Sequence, residues 1–222
     1  MLSSVFFDAG NTLVLADNSK TLAPLLAAGF QPSQEQLYAA ERFAKKRLDA
    51  LMAARQPGES VDGGYWDMYY THLIRQLNAP AELIAPSIAS TRRAESWCRL
   101  APGAREVLLE LRRRGLHLGV ISNSDGHIED ALRGAGIGDC FDSFTDSGNV
   151  GVEKPDPRIF QIALASLGAT PEESIFAGDT YSVDYQGAWA AGMGAILVDP
   201  AGVYRDDEYP RAETLAELLT ML

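Results

Sequence analysis

The stretch Val5-Phe6-Phe7-Asp8-Ala9-Gly10-Asn11-Thr12-Leu13 decides how the rest of the chain is read. Three large apolar residues in a row end at a carboxylate, and the turn formers Gly10 and Asn11 follow at once. So short an apolar run, without polar alternation, reads as a strand buried on both faces that stops at a loop. Asp8 stands at that stop, and in a parallel sheet the carboxyl ends of the strands are where ligands bind.

Working outward, residues from about Lys20 to Cys98 turn helical. Ser33 with Gln36 forms a capping box, and Leu37, Ala40, Ala44, Leu48 and Leu51 recur at helical spacing. A second helix carries Trp66, Tyr69 or Tyr70, Leu73 and Leu77 on one face, as packing residues. The run Lys45-Lys46-Arg47 is expected on a solvated helix face.

After Leu100 helix and strand alternate. Pro102 opens a helix that Gly115 closes, Leu116 to Ile121 is a strand, and Ser124 or Asp125 caps a helix through Leu132. Phe141 to Thr145, Ile175 to Ala177 and Ala195 to Val198 are further strands, with a helix from Asp156 to Leu167 stopped by Gly168. Repeated strand-helix units of this length predict an α/β fold, a Rossmann-like parallel sheet with helices on both faces. Asp8, Ser122 with Asn123, and Asp179 all follow strand-like runs, so they are expected to converge on one rim.

The composition narrows the functions. With 222 residues, 46% of them hydrophobic, the chain can bury a sizeable core. Its 19 basic and 30 acidic residues give a net charge of −11, the wrong sign for a surface that neutralises nucleic-acid phosphates. No apolar run approaches the roughly 20 residues that span a bilayer. Cys98 and Cys140 form no CxxC pair, no signal-peptide pattern precedes the first strand, and a cytoplasmic protein with two buried thiols is expected.

Four segments taken in order, VFFDAGNTL (5–13), VISNSDG (120–126), GVEKPDPRIF (151–160) and FAGDTYSVDYQGA (176–188), resemble the haloacid dehalogenase-like hydrolase superfamily and cover nearly the whole chain. The resemblance implies a core of residues 1–15 and 96–222 and an all-helical cap of the C1 kind over 16–95. It implies that Asp8 attacks phosphorus and forms an aspartyl-phosphate, with Lys154, Ser122, Thr12 and Asn123 around the phosphoryl group. It implies a magnesium site made by Asp8, the Gly10 carbonyl, Asp179 and Asp184, the last orienting ligands or metal water. The partner it implies is a small phosphorylated molecule, with the protein a monomer or homodimer.

Gly10 departs from that pattern. Phosphatases of the superfamily carry there a second aspartate that protonates the leaving group, and losing such a group costs about 10² to 10⁴ in rate. Three activities therefore stay open: a phosphatase acting on a small metabolite, a 2-haloacid dehalogenase or phosphonatase-like enzyme, and a phosphate- or protein-binding relative without turnover. Asp179 speaks against a dehalogenase, which needs no magnesium. A phosphonatase would use a cap lysine, with Lys45 and Lys46 as the candidates.

Overall fold

The computed structural model describes residues 1–54, 64–97 and 99–222. Among them the strands are β1 (Ser4–Phe7), β2 (Val14–Leu15), β3 (Arg99–Leu100), β4 (His117–Ser122), β5 (Ser143–Asp146), β6 (Ser174–Gly178), β7 (Gly194–Val198) and β8 (Arg211–Ala212). The chain forms two compact units: residues 1–15, 98–200 and 206–222 make the first, and residues 16–97 with 201–205 the second. No helix among the described residues is long and apolar enough to cross a membrane.

The first unit is built on a six-stranded sheet in the order β5-β4-β1-β6-β7-β8, every pair parallel. β1 is central, with Phe7 opposite Val120 on one side and Ala177 on the other. Because successive side chains of a strand point to opposite faces, Val5 and Phe7 enter one core cluster and Phe6 the other. That two-sided burial is why β1 is apolar at consecutive positions. Helices cover both faces. Ala104, Val107, Leu108 and Leu111 of the helix Ala104–Arg113 pack into the first cluster. Ile159, Phe160, Ala163 and Leu164 of the helix Pro157–Leu167 pack into the second. Asp156 caps the latter by accepting the Arg158 N–H, and Gly168 ends it in the left-handed region at φ 61°.

The second unit is helical. Ser33 and Gln36 do form the capping box at the start of the helix Gln34–Ala53, and its Ala40, Ala44 and Leu48 pack on Tyr69, Tyr70, Leu73 and Ile74 of the helix Gly64–Gln76. Trp66 stacks on Tyr69 with ring centroids 5.8 Å apart, so this aromatic stripe is packing. Lys45 is not on a solvated face: it is buried and paired with Glu41 at 2.8 Å. The segment 201–205 joins this unit through a hydrogen bond from Arg42 Nη1 to the Ala201 carbonyl and one from the Tyr204 hydroxyl to Asp49 Oδ2. Cys140 is buried; Cys98 lies outside the described residues.

Two details of the sequence-based outline change. β8 pairs with β7 at the sheet edge although its two residues carry no strand pattern. The helix expected to be capped by Ser124 or Asp125 spans Ile128–Gly134, and the Ile128 N–H is taken by the carboxylate of Asp146 from the end of β5.

Gly119 on β4 shows how closely the sheet faces are filled, because a Cβ built there would stand 2.6 Å from the Phe6 ring and 2.8 Å from Ser143 Oγ. Gly119→Ala must push a buried aromatic ring aside. It is expected to lower the unfolding free energy by about 1–3 kcal/mol, read as an earlier midpoint in urea with an unchanged slope.

Candidate active site

Parallel pairing sets the site. Since Phe7 is level with Val120 and Ala177, the residues just beyond, Asp8, Ser122 with Asn123, and Asp179, emerge along one edge of the sheet. The Asp8 N–H continues the ladder by donating to the Ala177 carbonyl. A compact turn follows, in which the Ala9 carbonyl accepts from Leu13 and Val14, and the Asn11 N–H donates to the Val14 carbonyl. Asn11, not Gly10, takes the left-handed conformation, at φ 56°. The turn buries Thr12, whose Oγ1 has no hydrogen-bond partner among the described residues.

Lys154 enters from the loop between β5 and the helix Pro157–Leu167 and is 2% exposed. Its ammonium donates to Asp8 Oδ1 at 2.5 Å and to Asp184 Oδ1 at 2.7 Å, and it lies 5.1 Å from the centre of the Phe176 ring. The other oxygen of Asp184 accepts the N–H groups of Asp179 and Thr180. Asp184 reaches this place because the chain after Thr180 makes a π-turn over Tyr181–Tyr185, a form of helix common at functional sites. Gly178 must lack a side chain there, since a Cβ would lie 2.6 Å from Asp184 Cγ.

The electrostatics follow from burial. Carboxylate oxygens of Asp8, Asp179 and Asp184 lie within 4.8 Å of one another, against the single ammonium of Lys154. Burial pushes the Asp8 carboxyl up to about 7; Lys154 opposes the shift, while Asp184 and Asp179 add to it. Burial likewise raises Asp184 above its ordinary range against the pull of Lys154. For Lys154 burial works against the charge, but Asp184 and Asp8 outweigh it and hold the ammonium above its usual range. More buried carboxylates than cations is a costly arrangement unless protons or a further cation share the charge. Hard oxygen donors on a rigid rim suit a divalent ion such as magnesium.

Asp8, Thr12, Ser122, Lys154, Asp179 and Asp184 are all buried at this rim. Asn123 is bonded within the protein. Its amide is occupied by the backbone of Lys154: Oδ1 accepts the Lys154 N–H at 2.7 Å and Nδ2 donates to the Lys154 carbonyl at 2.9 Å. It holds the lysine through both polar groups of its backbone.

Asp146 was not legible in the sequence as a site-building residue. Buried at the end of β5, it accepts the N–H groups of Gly126 and Gly148 on Oδ1 and of Ile128 on Oδ2. Ser147 Oγ adds a pair of bonds to Ser124, one accepted from its N–H and one donated to its carbonyl. Together they fix the loop that carries Ser122 and Asn123. An Asp following a strand-like run was the available signal.

A rim of buried carboxylates gathered round one lysine, at the carboxyl ends of a parallel sheet, fits a hydrolase. The family is narrower: the model of the haloacid dehalogenase-like hydrolases matches residues 2–192, and the chain belongs to that family. A glyceraldehyde 3-phosphate phosphatase of Methanothermobacter thermautotrophicus is 31% identical over 210 residues, 90% of this chain and 86% of the relative. Haloacid dehalogenase-like hydrolase domain-containing protein 3 of Mus musculus is 41% identical over 123 residues, 54% of this chain and 49% of the mouse protein. The chain spans about half the length of several curated relatives it matches. Among solved structures, the HAD-hydrolase YfnB of Bacillus subtilis, bound to magnesium, superposes with a TM-score of 0.66 at 19% identity, over 100% of this chain and 98% of that one.

Two outcomes follow from this geometry. Asn123→Ala is expected to lower kcat by about 10- to 100-fold, as loss of an orienting partner does, with KM nearly unchanged; a rise in KM alone would mean that the amide meets the substrate. Asp8 has its folded pKa near 7, above the unfolded value of 3.8, so between those pH values the folded state binds more protons and loses stability as pH rises. In EDTA, the stability of Asp8→Asn minus that of the wild type should therefore widen from pH 4 to pH 7, measured by urea unfolding at each pH.

Proposed function

We propose that this protein is a magnesium-dependent phosphatase of a small phosphorylated metabolite, working through an aspartyl-phosphate at Asp8. The observation that carries this reading is the Lys154 ammonium fixed on Asp8 Oδ1 within a buried cluster of three carboxylates. A carboxylate so placed is a nucleophile held at one orientation, and the neighbouring cation damps the repulsion between it and an anionic phosphoryl group. The archaeal phosphatase that is similar over 90% of the chain supports a phosphate ester as the substrate class.

In this mechanism Asp8 attacks phosphorus and the leaving group departs. Water then attacks the aspartyl-phosphate, releasing orthophosphate and restoring the carboxylate. Lys154 keeps its donor at Asp8 through both steps, held from behind by Asp184 and at its backbone by Asn123. The hydroxyls of Ser122 and Thr12 donate to phosphoryl oxygens; Thr12 Oγ1, buried without a partner among the described residues, has that bond to give. Asp8, Asp179, Asp184 and the Gly10 carbonyl would hold magnesium, which when bound neutralises phosphoryl charge. The helical insertion over 16–95 acts as a cap that selects the substrate, and the protein works as a monomer or homodimer in the cytoplasm.

The test is phosphate release from a panel of small phosphate esters, with and without magnesium, for the wild type and Asp8→Asn. The wild type should turn over only with the metal, and Asp8→Asn should lose at least about 10³ in rate while still unfolding in one cooperative transition. Release of chloride from 2-chloropropionate without magnesium would instead make it a dehalogenase.

A further inference from the structure

We propose, resting on the phosphatase reading, that the site takes phosphoryl donors whose leaving group departs without a proton: acyl phosphates and phosphate esters of acidic hydroxyls. The observation is the loop that follows the nucleophile. From Asp8 to Val14 it carries no titratable side chain besides Asp8 itself, and position 10, where the turn runs past the nucleophile, has no side chain at all. Asn11 is an amide, which exchanges no proton in catalysis, and Ala9, Leu13 and Val14 are buried and apolar.

The other groups of the buried centre are already engaged. Lys154 gives its ammonium to two carboxylates, and Asp184 accepts from Lys154, Asp179 and Thr180. Asp179 Oδ1 accepts the Thr180 hydroxyl. The centre is thus equipped to hold charge in place, and among the described residues these groups are committed to one another rather than to a departing oxygen.

The balance of the two steps shows what this selects. In the first, an Asp8 oxygen bonds to phosphorus and the bond from phosphorus to the leaving oxygen breaks, its electron pair going with that oxygen. Phosphoryl transfer runs through a loose transition state, in which the bond to the leaving oxygen is well broken and negative charge builds on that oxygen. An alkoxide is a poor anion to expel; a carboxylate or an activated phenolate leaves unaided. In the second step water bonds to phosphorus, the Asp8–phosphorus bond breaks, and the proton of water goes to solvent or to the phosphate. With no fixed base this step is slow, so good donors should charge Asp8 faster than water clears it.

The experiment uses the full chain with magnesium and four donors, glycerol 3-phosphate, phenyl phosphate, p-nitrophenyl phosphate and acetyl phosphate, and compares the wild type with Gly10→Asp. Gly10 lies outside the left-handed region, so an aspartate there meets no backbone penalty of that kind. In the wild type kcat/KM should climb by about 10² to 10⁴ from the alkyl to the activated donors, the range a general acid supplies, and p-nitrophenolate should appear in a burst matching the enzyme concentration. Gly10→Asp should make the dependence shallower. A wild-type rate indifferent to the leaving group, or the same dependence in both proteins, overturns this proposal and leaves the phosphatase reading standing. Absence of any turnover that Asp8→Asn abolishes, acetyl phosphate included, overturns the phosphatase reading itself.

Discussion

The ammonium of Lys154, held between Asp8 and Asp184, is the contact on which the rest of the site depends. Three carboxylates come together in a buried place, and one lysine is the charged side chain that faces them across it. A broken buried pair leaves an uncompensated charge at a cost of about 3–5 kcal/mol, so the lysine must be kept in position by something other than its own charge. Asn123 supplies that by binding both polar groups of the Lys154 backbone, and the Asp179 and Thr180 N–H groups fix Asp184 opposite. Loops after β1, β4, β5 and β6 all contribute. The parallel sheet is what makes their ends adjacent.

Strands and helices of the first unit were legible because two-faced burial writes a plain pattern: consecutive apolar residues, then a polar residue and turn formers. Asp8 and Asp179 could be found that way, and their meeting followed from the parallel sheet rule. The role of Asn123 was not legible. Its bonds run to backbone atoms 31 residues away, and side chain to backbone pairing at that separation has no spacing signature. Asp146 escaped notice for the same reason, reaching back to Gly126 and Ile128. Lys45 failed in the opposite direction: a run of three basic residues reads as solvated, but Ala40, Ala44 and Leu48 put position 45 on the buried side of the helix, where Glu41 neutralises it. The attachment of 201–205 to the helical unit rests on Arg42, Asp49 and Tyr204, which periodicity cannot pair.

Gly10 gives the site its individual character. Asp179, Asp184 and Lys154 gather round Asp8, whereas the turn beyond it, residues 9–14, has no titratable side chain. On the phosphatase reading proposed above, such a centre stabilises the phosphoryl group by position and charge and leaves the fate of the departing oxygen to the substrate's own chemistry. Membership of the haloacid dehalogenase-like hydrolases accounts for the frame, and the glycine at position 10 leaves the turn beside the nucleophile without a side chain.

The central claim is that Asp8 becomes covalently phosphorylated. Borohydride reduces an aspartyl-phosphate to homoserine, so quenching the enzyme during turnover of p-nitrophenyl phosphate with borohydride, and sequencing its N-terminal peptide by mass spectrometry, reads the claim directly. Homoserine at position 8, formed with magnesium and substrate and absent without either, is the predicted result. An unmodified Asp8 under active turnover, or homoserine at another carboxylate, would contradict it.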